Sequence, residues 1–264
     1  MTDTALGPEE RRPAGAAPGP TTPAQPVQRA EAASAAVEGV TQRLVATANE
    51  LDDLAVRGPS LLPGWTRAHV LSHLARNADA CRNLLVWART GVQHSMYASA
   101  ADRDADIEEG SRRGAWLLSA DLSASCERFS AAVRSMPDEA WSAEVVLASG
   151  LPMPAHSVLR LRLLETWVHL VDLDVGVGFG DIPMPELEWI LEDVVQEFGG
   201  RADVPPLCLT VPLPDGRRRE WDLRGALSKR IAVSGPAGPV LGWLLGRTDG
   251  AELSGQLPAL PTWL

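Results

Sequence analysis

The sequence predicts a mainly α protein, a four-helix bundle followed by a small α/β C-terminal domain. Three observations carry this reading. Four long stretches repeat apolar residues at helical spacing. Prolines fall between those stretches rather than within them. After Pro183-Met184-Pro185 the pattern changes to short runs that flank a Pro214-Asp215-Gly216 turn.

Residues 1–28 hold Pro8, Pro13, Pro18, Pro20, Pro23 and Pro26 among Ala, Gly and Thr. Such a segment cannot bury a core and is expected to be a disordered tail. The bundle is placed at 29–183. Its first helix spans Ala30 to Leu54, with Val37, Val40, Leu44, Val45 and Leu51 on one stripe. Pro59 and Pro63-Gly64 interrupt the pattern. Thr66 then occupies an N-cap position, and Val70, Leu71, Leu74, Ala78, Cys81, Leu84, Leu85 and Ala88 form the second helix, ended by Gly91. A third helix is expected over Asp102–Met136, with acidic residues in its first turns and Pro137 beyond its end. Glu144–Leu147 reads as a short strand or extended loop. The fourth helix covers about His156–Val175 and stops at Gly176 and Gly178. The second domain is placed at 184–264, with a helix over Glu186–Phe198, strands at Leu207–Pro212, Arg219–Leu223 and Lys229–Val233, and a short helix over Gly238–Leu245.

Composition narrows the function classes. With 264 residues and 45% hydrophobic content, a sizeable core is available. A net charge of −10 offers no basic stripe for phosphates, so nucleic acid is not expected as a partner. No run reaches the roughly 18–20 apolar residues of a membrane span, so no membrane partner is expected. Cys81, Cys126 and Cys208 are widely spaced, without a Cys-x-x-Cys pair. That pattern fits a reducing cytoplasm, and it marks no nucleophilic thiol of the chain's own. Trp65, Trp87, Trp116 and Trp167 read as core packing, and Arg217-Arg218-Arg219 as a solvated hairpin edge.

Glu165 and His169 stand four apart and share one face of the fourth helix. That spacing is common on solvated helices. Here, however, Leu161, Leu163, Leu164, Trp167, Val168, Leu170, Val171 and Leu173 make the helix apolar nearly all round, so it is expected to be buried. A buried carboxylate and imidazole need partners. A divalent metal with a third ligand from another helix would satisfy both, and His69 and His73 compete for that place. Three protein ligands leave one position open for chemistry. Asp172, three residues on, is a candidate to orient the imidazole of His169 or to make a structural hydrogen bond.

The blocks Leu62-Pro-Gly-Trp-Thr-Arg-Ala-His-Val-Leu-Ser-His-Leu-Ala-Arg-Asn-Ala-Asp79, Met96-Tyr-Ala-Ser99, Arg103-Asp-Ala-Asp-Ile-Glu-Glu-Gly110, Glu165-Thr-Trp-Val-His-Leu-Val-Asp-Leu-Asp174 and Gly242-Trp-Leu-Leu-Gly-Arg247 occur in this order. Together they resemble the mycothiol-dependent maleylpyruvate isomerase family of the DinB-like metalloprotein superfamily, over about residues 35–264. The resemblance implies a DinB-like bundle with a zinc site. Carried onto this chain, the ligands are His73, Glu165 and His169, which leaves His69 out. It implies an essential arginine in the C-terminal domain, for which Arg247 is the match, expected to bind a substrate carboxylate. Arg76, Asn77 and Asp79 lie in a recurring block and either line the thiol cofactor's sugar-binding groove or make helix contacts. The stretch Pro154–Arg162 departs from the family's pattern. His156 within it is a surface residue at the helix start or a substrate contact.

The implied cofactors are Zn²⁺ and mycothiol, and the implied partners a small-molecule substrate and the low-molecular-weight thiol, with the chain a monomer or homodimer. The implied reaction is the cis–trans isomerisation of maleylpyruvate to fumarylpyruvate. An alternative is a mycothiol S-transferase or thiol-exchange enzyme acting on an electrophilic toxin or natural-product intermediate. A further alternative is a non-catalytic ligand sensor, for which an open metal position has little use.

Overall fold

The computed structural model describes residues 26–223 and 230–263. Helix α1 (Pro26–Glu50) begins inside the segment 1–28 that composition assigns to a tail. Pro26 heads it without penalty, because the first helical N–H has no intrahelical partner. The rest of the expected tail, residues 1–25, lies outside the described residues. The first helix also ends earlier than its pattern predicts, at Glu50 rather than Leu54. The carboxylate of Asp52 accepts from the backbone N–H of Leu54 and Ala55, at 3.0 and 2.7 Å, and starts a separate helix α2 (Asp53–Arg57).

Helix α3 (Arg67–Thr90) follows Thr66 as its N-cap and closes on Gly91, whose φ of 71° suits a residue without Cβ. The single long helix expected over Asp102–Met136 is two, α4 (Ala100–Ser111) and α5 (Ala115–Arg134). Arg57 explains the break. Its guanidinium donates to the carbonyls of Ser111, Arg112 and Arg113, which takes the last carbonyls of α4 away from a continuing ladder. Asp53 then accepts from the N–H of Ala115 at 2.6 Å and starts α5. A short hairpin, β1 (Glu144–Val146) with β2 (Pro152–Pro154), leads into α6 (Ser157–Asp172). Helices α1, α3, α5 and α6 form the bundle: α3 packs on α5 and α6, α1 packs on the same two, and α4 lies along α3.

From Met184 the chain adds α7 (Met184–Gly200) and a four-stranded sheet. The sheet comprises β3 (Leu207–Pro212), β4 (Arg218–Leu223), β5 (Ile231–Ser234) and β6 (Ser254–Gly255), in the order β4-β3-β5-β6. β3 pairs antiparallel with β4 and parallel with β5. Lys229, placed in a strand by its sequence, lies outside the described residues. Helix α8 (Ala237–Leu244) carries Gly238 against the 3₁₀ turn Phe179–Asp181, so close that a Cβ there would stand 2.8 Å from the nitrogen of Gly180. Apolar side chains from both parts belong to one continuous core, and α6 is the element they share. Trp116 departs from its expected core role: it is 78% exposed, because it follows the N-terminus of α5 on the outward side. Among the described residues no helix is long and apolar enough to cross a membrane.

Candidate metal centre

Three side chains converge between α3 and α6. His73 on α3 places Nε2 3.0 Å from Oε2 of Glu165 on α6, and His169, one turn further, places its Nε2 3.6 Å from the same oxygen. One donor atom from each residue lies within 4.8 Å of the others. The two imidazole rings meet edge to face at 4.5 Å between centroids. The α6 helix supplies a carboxylate and an imidazole one turn apart, and the packing of α3 across it supplies the third group.

Each member is held from behind. Asp172 accepts from Nδ1 of His169 at 2.9 Å, which turns Nε2 toward Glu165. Asp172 is fully buried and in turn accepts from Arg247, whose Nε and Nη2 reach its two oxygens at 3.0 and 3.1 Å. The remaining Nη1 of Arg247 donates to the Leu245 carbonyl at 2.8 Å. Arg247, expected on a substrate carboxylate, is thus found on Asp172, as a bridge from the segment after α8 to the end of α6. Below the triad Arg162 is wholly buried, donating to the Leu74 carbonyl and to Asn77 at 3.1 and 2.8 Å. Trp65 stands 5.7 Å from the ring of His73 and 6.0 Å from that of His69.

The electrostatics separate the two imidazoles. Burial, reinforced by the neighbouring His169, pulls the pKa of His73 down to about 4, so it is neutral at pH 7. Burial opposes charge on His169 too, but its bonds to Asp172 and Glu165 outweigh that and hold its pKa up at about 9. Burial likewise disfavours the charged form of Glu165, yet hydrogen bonds from His169 and His73 keep it well below the usual carboxylate range. The metal-free site therefore holds an ionised carboxylate, one neutral imidazole and one imidazolium.

The donor set suits zinc. Zn–N and Zn–O bonds of about 2.0–2.2 Å in a tetrahedron separate neighbouring donors by about 3.3–3.5 Å. The separations of 3.0 and 3.6 Å around Glu165 bracket that range. Asp172 supplies the carboxylate behind a histidine that recurs in metal sites.

The other expected residues lie elsewhere. Arg76 donates to Asp121 of α5 at 2.8 Å, and Asp79 accepts from Arg128 of α5 at 2.8 Å. Asn77 accepts from Arg162 and is buried. All three are thus occupied in helix–helix contacts. His69 accepts at Nδ1 from the N–H of Thr66, at 3.2 Å, in the cap of α3, and its Nε2 lies 3.2 Å from Glu108. His156 sits half-buried at the start of α6 beside Ser157. Two residues not singled out from the sequence stand close to the triad. Arg103 brings Nη2 within 3.4 Å of Nδ1 of His73, and Tyr97, the only tyrosine of the chain, lies under its guanidinium at 5.9 Å. Both fall within the recurring blocks, and that was the available signal. They line a cavity of about 300 Å³ with Trp87, Met96, Ser99 and Leu147. A second cavity, about 470 Å³ at Pro206, Arg230 and Gln256, lies on the sheet away from these groups.

Residues 37–174 match the family described as the mycothiol maleylpyruvate isomerase N-terminal domain. The chain belongs to the mycothiol-dependent maleylpyruvate isomerase family. The crystal structure of a mycothiol-dependent maleylpyruvate isomerase is similar at 30% identity with a TM-score of 0.80, covering 89% of this chain and 97% of that one. A histidine-to-alanine variant of such an isomerase matches at 29% identity with the same TM-score and coverage. No curated protein matches the chain at a significant level. The family's N-terminal domain thus spans the bundle from within α1 to just past α6, and includes His73, Glu165 and His169.

Proposed function

We propose that the protein is a zinc- and mycothiol-dependent isomerase that converts maleylpyruvate to fumarylpyruvate. The observation that carries this reading is the His73–Glu165–His169 cluster in a chain of this family. Burial pushes the Cys81 thiol up to about 12, and burial with Asp222 nearby raises that of Cys208. A zinc ion held by His73, Glu165 and His169 would supply an open fourth position that favours the thiolate form of a bound thiol.

The chain's own residues have defined tasks. Asp172 keeps the Nδ1 proton of His169 and so directs Nε2 into the site. Arg247 fixes Asp172 and joins the segment after α8 to that task. Burial of Glu165 and His73 keeps bulk water away from the reacting thiol. Mycothiol bound at that position would supply reversible nucleophilic addition to the conjugated alkene, with the π pair held on the neighbouring carbonyl while the former double bond turns as a single bond, and elimination would return the thiol unchanged with the trans product.

Maleylpyruvate absorbance followed with protein, zinc and mycothiol tests the reading. Turnover that needs all three is expected. No change with all three present sinks it, and consumption of mycothiol with stoichiometric adduct would mark the S-transferase instead. His73→Ala and Glu165→Ala should each lose stoichiometric zinc together with turnover. Full zinc retention in both would overturn the ligand set.

A further inference from the structure

Arg103 belongs at once to the surroundings of the triad and to the adjoining cavity. It lies in the first turn of α4, with its side chain 32% exposed against 9% for Arg247. We propose that Arg103 is the anion-binding residue of the site, receiving a carboxylate of the substrate in the cavity bounded by Trp87, Met96, Tyr97, Ser99 and Leu147. This rests on the reading that the electrophile is an unsaturated dicarboxylate.

Four observations converge on it. First, the other arginines nearby have structural partners. Arg247 is taken up by Asp172 and Leu245, Arg76 and Arg113 by Asp121, Arg128 by Asp79, and Arg67 by the carbonyls of Leu173 and Asp174. Second, the partners of Arg103 are replaceable. Its Nη1 donates to Asp104 at 2.7 Å, but Asp104 is 68% exposed, and such a pair in water holds little free energy.

Third, its contact with His73 is long, with Nη2 3.4 Å from Nδ1, so most of the guanidinium's donor capacity stays available to the cavity that Arg103 lines. Fourth, the chain carries a net charge of −10, so an anionic ligand needs a local cation to enter. The ring of Tyr97 holds the guanidinium plane through a cation–π contact, and Arg presents two parallel N–H donors to a carboxylate. The cavity volume of about 300 Å³ accommodates a small dicarboxylate.

Calorimetric binding of maleate to the zinc-loaded protein tests this without turnover. Arg103→Met should weaken maleate about tenfold or more, the loss expected of a charge-assisted fork. Zinc stoichiometry, melting temperature and the KM for mycothiol should stay at wild-type values, and dimethyl maleate, which lacks the charge, should bind both proteins alike. Arg103→Lys should fall between, since it keeps the charge and loses the fork. Unchanged maleate affinity in Arg103→Met overturns the proposal. So does a loss of zinc with equal weakening of acid and ester, which would mark Arg103 as a positioning residue for His73. A rise confined to the mycothiol KM overturns it as well. Arg103-dependent maleate binding without maleylpyruvate turnover would leave the subsite standing and remove the isomerase reading. Turnover with a KM for maleylpyruvate indifferent to Arg103→Met would do the reverse.

Discussion

Replacing Asp172 with Asn isolates the support behind His169 in the proposed metal site. Asp172 is fully buried and Arg247 is 9% exposed, so the two charges face each other with little water between them. Removing one partner of such a pair costs about 3–5 kcal/mol. The amide oxygen still accepts one bond from Arg247, which places the expected loss near the lower end, about 3 kcal/mol. Domains of this size shift by about 2–4 °C per kcal/mol, so the metal-free protein should melt about 6–12 °C lower. The amide also loses the charge that holds the Nδ1 proton of His169, and such changes cost about 10–100-fold in metal affinity. The double variant Asp172→Asn with Arg247→Met removes the stranded cation, so it should regain part of the melting temperature while keeping the weak zinc binding. Scanning calorimetry and competition against a chelator read the two effects separately. A melting temperature within about 2 °C of wild type, with zinc affinity unchanged, would refute the assignment of Asp172 as the buttress of His169.

Zinc binding should release one proton at pH 7, because His169, held at about 9, is protonated in the metal-free site while His73, at about 4, is not. Affinity should rise about tenfold per pH unit toward 9 and then level, and calorimetry in buffers of different ionisation enthalpy showing no release would contradict this. For the same reason His169 stabilises the metal-free fold fully below its unfolded value of 6.5, and that contribution is lost as pH rises through about 9. Melting of chelated protein should fall across that window. Replacing Cys81, Cys126 and Cys208 by Ala should leave mycothiol-dependent turnover in place, and loss of turnover in a folded, zinc-loaded variant would mean the chain supplies the thiol itself. Gly238→Ala should lower stability by about 1–3 kcal/mol, because its Cβ would meet backbone atoms of Phe179 and Gly180 that cannot swing aside. A wild-type melting curve would show that α8 can retreat.

What the sequence made legible was local. The spacing of Glu165 and His169 and the apolar surroundings of their helix pointed to a buried pair that needed partners, and Thr66 and Gly91 marked the ends of α3. Choosing His73 over His69 required the resemblance, since both occur at equivalent spacing on one helix. The structure separates them through the cap, where Thr66 occupies His69. The break between α4 and α5 was not legible because its cause, Arg57, sits 54–56 residues away and acts only once the chain has folded. Arg247 was found by its motif, but its partner Asp172 lies 75 residues earlier, and no local pattern joins them. Arg103 escaped notice for a similar reason: acidic neighbours on α4 make it read as part of a solvated face.

The bridge between Arg247 and Asp172 also orders events during synthesis. All three of the proposed ligands, and Asp172 itself, leave the ribosome before β3, β4, β5, β6 and α8 exist. A nascent bundle can thus fold with His169 backed by a buried carboxylate whose counter-ion has not yet been made. The 75 residues that separate the pair set the delay. Until Arg247 arrives, that unmatched charge favours an open, hydrated end of α6 over a closed one. A chain stalled short of Arg247 would thus present His73, Glu165 and His169 with Asp172 still lacking its buried counter-ion.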